Sequence, residues 1–191
     1  DTGRIYRLRA SDGVLDKDVN LQARSTRELL VLLSHPNRWQ RQTAVRLLAE
    51  RRDPASAPAL RALLRAPVEM REAAAGPSNR VLVAAADHPA LESLWALAQA
   101  DWLTEDDFLA AGRHPLPAVR GWAIRLASDS PERSSAFFEA VCASLARESD
   151  AEVRSLAAAA ARRLPAGTAI RLLRSVWEAD VDLDDPFIPG V

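Results

Sequence analysis

Residues 34–52 read SHPNRWQRQTAVRLLAERR, and the fold turns on how this stretch is parsed. Pro36 disfavours the helical conformation in the residue ahead of it, so His35-Pro36-Asn37 breaks any helix that precedes it. Beyond the break, residues 38–52 place Ala44, Leu47 and Leu48 on one helical face. Before it, STRELLVLLS at residues 25–34 has apolar residues at helical spacing, with Ser25 or Thr26 available as cap and Glu28 in the first turn. Two helices joined by a tight turn make a helical hairpin.

The unit recurs along the chain. Residues 54–65 supply another first helix with Leu60, Leu63 and Leu64 inward, and residues 90–100 its partner. Residues 66–87, containing AGPSN and a short apolar run, read as an insertion between them. Residues 104–111 and 118–128 form a third pair, with Thr104 as cap and Glu105, Asp106 and Asp107 near the positive helix end. Residues 131–148 and 151–164 form a fourth, and residue 165 opens a fifth. Aligning the turns pairs HPNRWQRQTA at 35 with HPLPAVRGWA at 114 and SDAEVRSLAA at 149, which matches Arg41, Arg120 and Arg154. HPALESLWAL at 88 keeps the His-Pro turn and the aromatic but lacks the arginine. The unit length is close to the roughly 30 to 45 residues of helical repeats.

Each hairpin has an apolar side that it cannot bury alone, so neighbours stack. The expected fold is therefore an all-α superhelix that resembles HEAT and armadillo solenoids, with about five hairpins wound right-handedly and alanine-rich second helices in close approach. A compact helical bundle is the competing architecture. GRIYRLR at residues 3–9 alternates with period two and predicts a short N-terminal extended strand, followed by a polar linker to residue 24. Residues 1–24 thus read as an arm, and 25–191 as the repeat domain. The start resembles the middle of a longer protein, and in DVDLDDPFIPGV at 180–191 Asp185-Pro186 is expected to open one more helix, so further chain is expected after it.

Composition removes several function classes. The net charge is −1, which gives no overall attraction to nucleic acid or anionic membranes. No apolar run approaches the roughly 20 residues of a membrane helix. Every basic residue but Lys17 is arginine. Cys142 is the only cysteine, so there is no intrachain disulfide, CxxC pair or CxxCH haem-attachment motif. No GxSxG, P-loop or GxGxxG occurs.

His35, His88 and His114 each precede proline in a turn, and turns one repeat apart cannot bring ligands to a shared metal at about 2.0 to 2.2 Å. Turn capping is the expected role of His35, Pro36, Asn37, His114, Pro115 and Arg154. The acids Asp180, Asp182, Asp184 and Asp185 lack the glycine and terminal glutamate of a calcium loop. Cys142 reads as a small packed hydrophobe. Arg41, Arg120 and Arg154 are expected to bond turn carbonyls or an acid of the next repeat. Trp39, Trp95 and Trp122 lie near the starts of second helices, the side that usually lines the concave face of a solenoid. Together with Arg38, Arg41 and Arg120 they form the candidate partner-binding set, in which Trp39 serves either packing or contact.

GRIYRL at 3–8, LLSHPNRWQRQTAVRLLAERRD at 32–53 and DLDDPFIPGV at 182–191 together resemble a segment of the planctomycete-type haem-binding membrane-bound dehydrogenases. In that family a quinone-dehydrogenase-like β-propeller is followed by HEAT-like repeats and a cytochrome c domain. The resemblance implies that the arm closes an upstream propeller and that the repeats connect it to the cytochrome. It implies a spacer and docking role at His35, Pro36, Asn37, Arg38, Trp39 and Arg41. Haem, with quinone as a further candidate, is implied for the parent proteins only, with no cofactor expected in this segment, and the same resemblance implies a periplasmic or cell-envelope location. Two other readings stay open: a nucleic-acid binder like the HEAT-type DNA glycosylases, and a generic peptide-binding scaffold.

Overall fold

A computed structural model describes residues 19–68, 70–76, 79–84 and 89–178 of the chain. Among these residues the fold is helical apart from one hairpin of strands. The first hairpin consists of α1 (Thr26–Leu32) and α2 (Arg38–Arg51), the second of α3 (Ser56–Leu64) and α4 (Ala90–Gln99). The third is α5 (Glu105–Gly112) and α6 (Pro117–Ser128), followed by α7 (Ser135–Leu145), α8 (Ala151–Ala160) and α9 (Ala166–Trp177).

Local chemistry sets these boundaries. Ser25 and Glu28 close a capping box at α1, and Thr104 and Asp107 another at α5, each satisfying backbone N–H groups that a helix start leaves unpaired. Asn37 Oδ1 accepts from Trp39 N at 2.9 Å, and Asp150 Oδ1 from Val153 N at 3.0 Å, which start α2 and α8. Glu28 accepts from the Ser25 N–H, the Ser25 hydroxyl and Arg24, which together hold its carboxyl down at about 2. At the other end of α2, Arg52 takes a left-handed φ of 47° and turns the chain toward Asp53-Pro54.

The helices form two layers. The first contains α1, α3, α5, α7 and α9, each resting on its predecessor, and the second contains α2, α4, α6 and α8 stacked likewise. Within the first three hairpins the layers also pack on one another, whereas α7 rests chiefly on α5 and α9, and α8 on α6 and α9. This arrangement is that of a helical solenoid, with the core between the layers. Leu29, Leu33, Leu60, Leu94 and Leu97 are fully buried there, each burial stabilising by about 1.5–3 kcal/mol. Every second-layer helix carries at least one alanine with no exposed surface: Ala44 on α2, Ala90 and Ala96 on α4, Ala123 and Ala127 on α6, and Ala157 on α8. Small side chains at the contacts let helix axes come close. At Gly121 on α6 the approach leaves no room for a side chain, because a Cβ there would stand 2.7 Å from Leu156 Cδ1 on α8.

The structure departs from the sequence reading in four places. The insertion contains an antiparallel hairpin of β1 (Met70–Gly76) and β2 (Asn79–Ala84), paired from Met70–Ala84 to Gly76–Asn79. The β-branched Val81 and Val83 favour extended backbone over helix. The helix expected over 131–148 begins only at Ser135, after a 3-10 turn at Pro131–Arg133. Ser134 breaks it, since its hydroxyl bonds the carbonyls of Ala127 and Ser130 at 2.9 Å instead of capping α7. Residues 151–164 likewise divide into α8 and a 3-10 turn at Ala161–Arg163. Finally, the third turn of the alignment starts at Glu148 rather than Ser149, because Arg154 bonds the carbonyl six residues before it, as the other two arginines do. The expected N-terminal strand, His88 and the acids from Asp180 onward lie outside the described residues.

Candidate interaction surface

The three repeat arginines are spent on the fold. Arg41 Nη1 donates to the carbonyls of His35 and Pro36 at 2.8 and 3.1 Å, while its Nε reaches Glu92 on α4 at 2.7 Å. Arg120 repeats this on the carbonyls of His114 and Pro115 at 2.9 and 3.0 Å and grips both oxygens of Glu148 at 2.7 and 2.8 Å. Arg154, buried, donates to the Glu148 carbonyl at 2.8 Å. Each of the first two joins its own turn to the next hairpin. Burial pushes the Glu148 carboxyl up, but the Arg120 hydrogen bonds and the Asp150 N–H outweigh it and hold it below the ordinary range.

The histidines serve these same turns. His35 Nδ1 accepts from Asn37 N at 3.0 Å, and His114 Nδ1 from Leu116 N at 3.1 Å. Accepting at Nδ1 places any ring proton of the neutral form on Nε2. Among the described residues no group of three or more His, Cys, Asp or Glu side chains is arranged to hold a metal. Burial pushes the Cys142 thiol up, away from the thiolate that nucleophilic or ligand chemistry requires.

A further hub was not expected from the sequence. Asp107 is fully buried and accepts from Arg61 Nε at 2.9 Å, Arg65 Nη2 at 2.8 Å, and the Thr104 hydroxyl and N–H at 2.9 and 3.2 Å. Arg61 continues to the Trp102 carbonyl at 2.7 Å. Burial alone would raise the Asp107 carboxyl, and the bonds from Arg61, Thr104 and Arg65 more than reverse that. The available signal was Arg61 and Arg65 at i and i+4, two cations on one face of α3 facing the acids of α5. With Arg171–Glu139 joining α9 to α7, an arginine–carboxylate pair spans each step from hairpin to hairpin among the described residues.

The tryptophans do not form one cluster. Trp95 on α4 and Trp122 on α6 meet edge to face, with ring centroids 5.1 Å apart and planes at 83°, and the Arg125 guanidinium lies 5.3 Å from the Trp122 centroid. Both are half-buried, so their rings serve chiefly the α4–α6 contact. Trp39 differs: it stands in the first turn of α2, 49% exposed, beside the exposed Arg38. Arg38 Nε lies 2.9 Å from the Gln42 amide oxygen in the orientation that satisfies both groups. Of the six candidate partner-binding residues, Arg38 and Trp39 present an open surface, and Arg41, Arg120, Trp95 and Trp122 are engaged within the fold. A second exposed apolar set, Ile170, Leu173 and Trp177, forms a stripe along α9. No helix among the described residues is long and apolar enough to cross a membrane. The chain matches no family model, and comparison with curated proteins and with solved structures found no match.

Proposed function

We propose that this chain is a non-catalytic, HEAT-like connector that holds a dehydrogenase propeller and a cytochrome c domain in a fixed relation and offers an interaction surface at Arg38 and Trp39. The observation that most supports this reading is the arginine–carboxylate pair at every step between hairpins. A bond that ties a turn and a neighbouring hairpin to one guanidinium resists bending between units, and a spacer for electron transfer must keep its distance. The family resemblance at residues 32–53 supplies the identity of the flanking domains. Arg38 and Trp39 suit a partner contact because an exposed tryptophan beside an arginine gives large apolar area with a polar handle, the composition enriched at binding hot spots.

The test is to titrate the chain with a propeller and a cytochrome c domain expressed from the same reading frame. At least one should bind saturably, and Trp39→Ala should weaken it about tenfold, ~1.4 kcal/mol, with an unchanged melting midpoint. Absence of binding by both domains, or binding indifferent to Trp39, rejects the reading.

A further inference from the structure

Helix α5 has eight residues and α7, packed beside it, eleven. A groove of about 580 Å³ lies between α5, α7 and the turn that begins at Glu148. The apolar residues it presents to solvent are Leu109, Ala140 and Ala143, and its polar side carries Arg113, Arg120, Arg147 and Glu148. This volume is within the range of small-molecule sites.

Three guanidiniums face one carboxylate there. Arg120 is matched to Glu148 by two bonds, so the positive charge left over belongs to Arg113 and Arg147. Both are exposed, and neither makes a side-chain hydrogen bond or ion pair with a described residue. Arginines at helix C-termini often serve the terminal carbonyls. Here the backbone does that work: Ala110 and Ala111 carbonyls accept from the N–H groups of Arg113 and His114, and Ser144 and Leu145 carbonyls from those of Arg147 and Glu148. Two cations thus stand at the rim of the groove with no side-chain partner among the described residues.

We infer that this groove binds a small amphiphilic carboxylate, its apolar body against Leu109, Ala140 and Ala143 and its headgroup between Arg113 and Arg147. Guanidinium forks match a carboxylate with two parallel N–H donors. An apolar wall strengthens that attraction by lowering the local dielectric. A bare inorganic anion would leave the wall wet, and a neutral chain would leave the guanidiniums unmatched, so the groove selects for both properties in one molecule.

Decanoate is a suitable probe, titrated into the full chain while backbone amides are followed by NMR. Binding is expected to saturate at one equivalent, with Kd on the order of 0.1 mM for a ligand of this size. The shifts should centre on Ala143 and Ser144. Arg113→Ala/Arg147→Ala should weaken binding at least tenfold, decanol should bind at least tenfold more weakly than decanoate, and inorganic phosphate should not bind at millimolar concentration. Both arginines are exposed and unbonded, so the double variant should keep the parent melting midpoint. Equal affinity of parent and double variant overturns the proposal. So does loss of decanoate binding in Ile170→Ser/Leu173→Ser/Trp177→Ser, which would place the ligand on the α9 stripe instead. Since Trp39 is not part of the groove, this result is independent of the connector reading.

Discussion

Replacing Asp107 by alanine is expected to remove about 1.5 to 3 kcal/mol of folding stability, since it deletes a buried charged acceptor while the arginines left behind keep partial access to water. The carboxylate is fully buried and is the shared acceptor for Arg61, Arg65 and the Thr104 cap. Its loss leaves Arg61 only the Trp102 carbonyl and removes one half of the α5 capping box. Asp107→Asn retains an acceptor and should cost less. Chemical denaturation of both variants, with alanine the more damaging, checks the order.

The same residue predicts an acid response. Asp107 and Glu148 are both held below their ordinary values of 3.8 and 4.5, so the folded chain binds their protons more weakly than the unfolded chain. Their contribution is therefore complete above about pH 4.5 and is lost as pH falls through the lower folded values. The parent's stability should drop with a steeper slope below that pH than the stability of Asp107→Ala. Equal slopes would show that the bonds to Asp107 carry no differential protonation.

The second large effect is at Phe137, where truncation to alanine should cost about 3 to 5 kcal/mol. The ring is 1% exposed, with its centroid 5.7 Å from Phe108 and 5.3 Å from Phe138, so its neighbours have little freedom to collapse into the space left. Gly112 tests the same contact from the other side. A Cβ at Gly112 would stand 2.6 Å from Phe137 Cε2, so Gly112→Ala must push a ring that has nowhere to go, at about 1 to 3 kcal/mol. In a Phe137→Leu background the Gly112→Ala penalty should shrink, since the clashing ring edge is gone. Gly121→Ala should be milder, because it meets the flexible end of Leu156. Additive penalties at Gly112 and Phe137 would mean that the two helices move apart instead of pressing on each other.

The helical spans were legible because periodicity records which face a helix buries. Leu60 and Leu64 recur at i and i+4, and both are buried. Caps were legible for the same local reason at Ser25 and Thr104. Position 107 was not, because an acid in a first turn has the same sequence signature whether it faces solvent or two arginines on another helix. Only stacking of α5 on α3 decides that, and stacking is a property of the whole chain. Glu92 shows the converse. The repeat copy at residue 88 lacks its arginine, yet it supplies the acid that receives Arg41 from the preceding unit. Trp95 and Trp122 were grouped with Trp39 by their place near helix starts, but their edge-to-face contact depends on the distance between α4 and α6. The groove at Arg113 and Arg147 is likewise lined by α5, α7 and the turn at Glu148, which only stacking brings together.

The double engagement of Arg41 and Arg120 bears on how the molecule comes apart. A stack of repeats is cooperative only to the extent that each unit's own folding depends on its neighbour, and apolar contact alone couples them gradually. Here the turn that shapes one hairpin and the seam that docks the next share a single side chain. A hairpin that detaches therefore loosens the neighbour's turn in the same event, and partial melting at one end is penalised twice. The chain then behaves less like a row of separable beads and more like a beam, in which the failure of one joint is felt along the whole length.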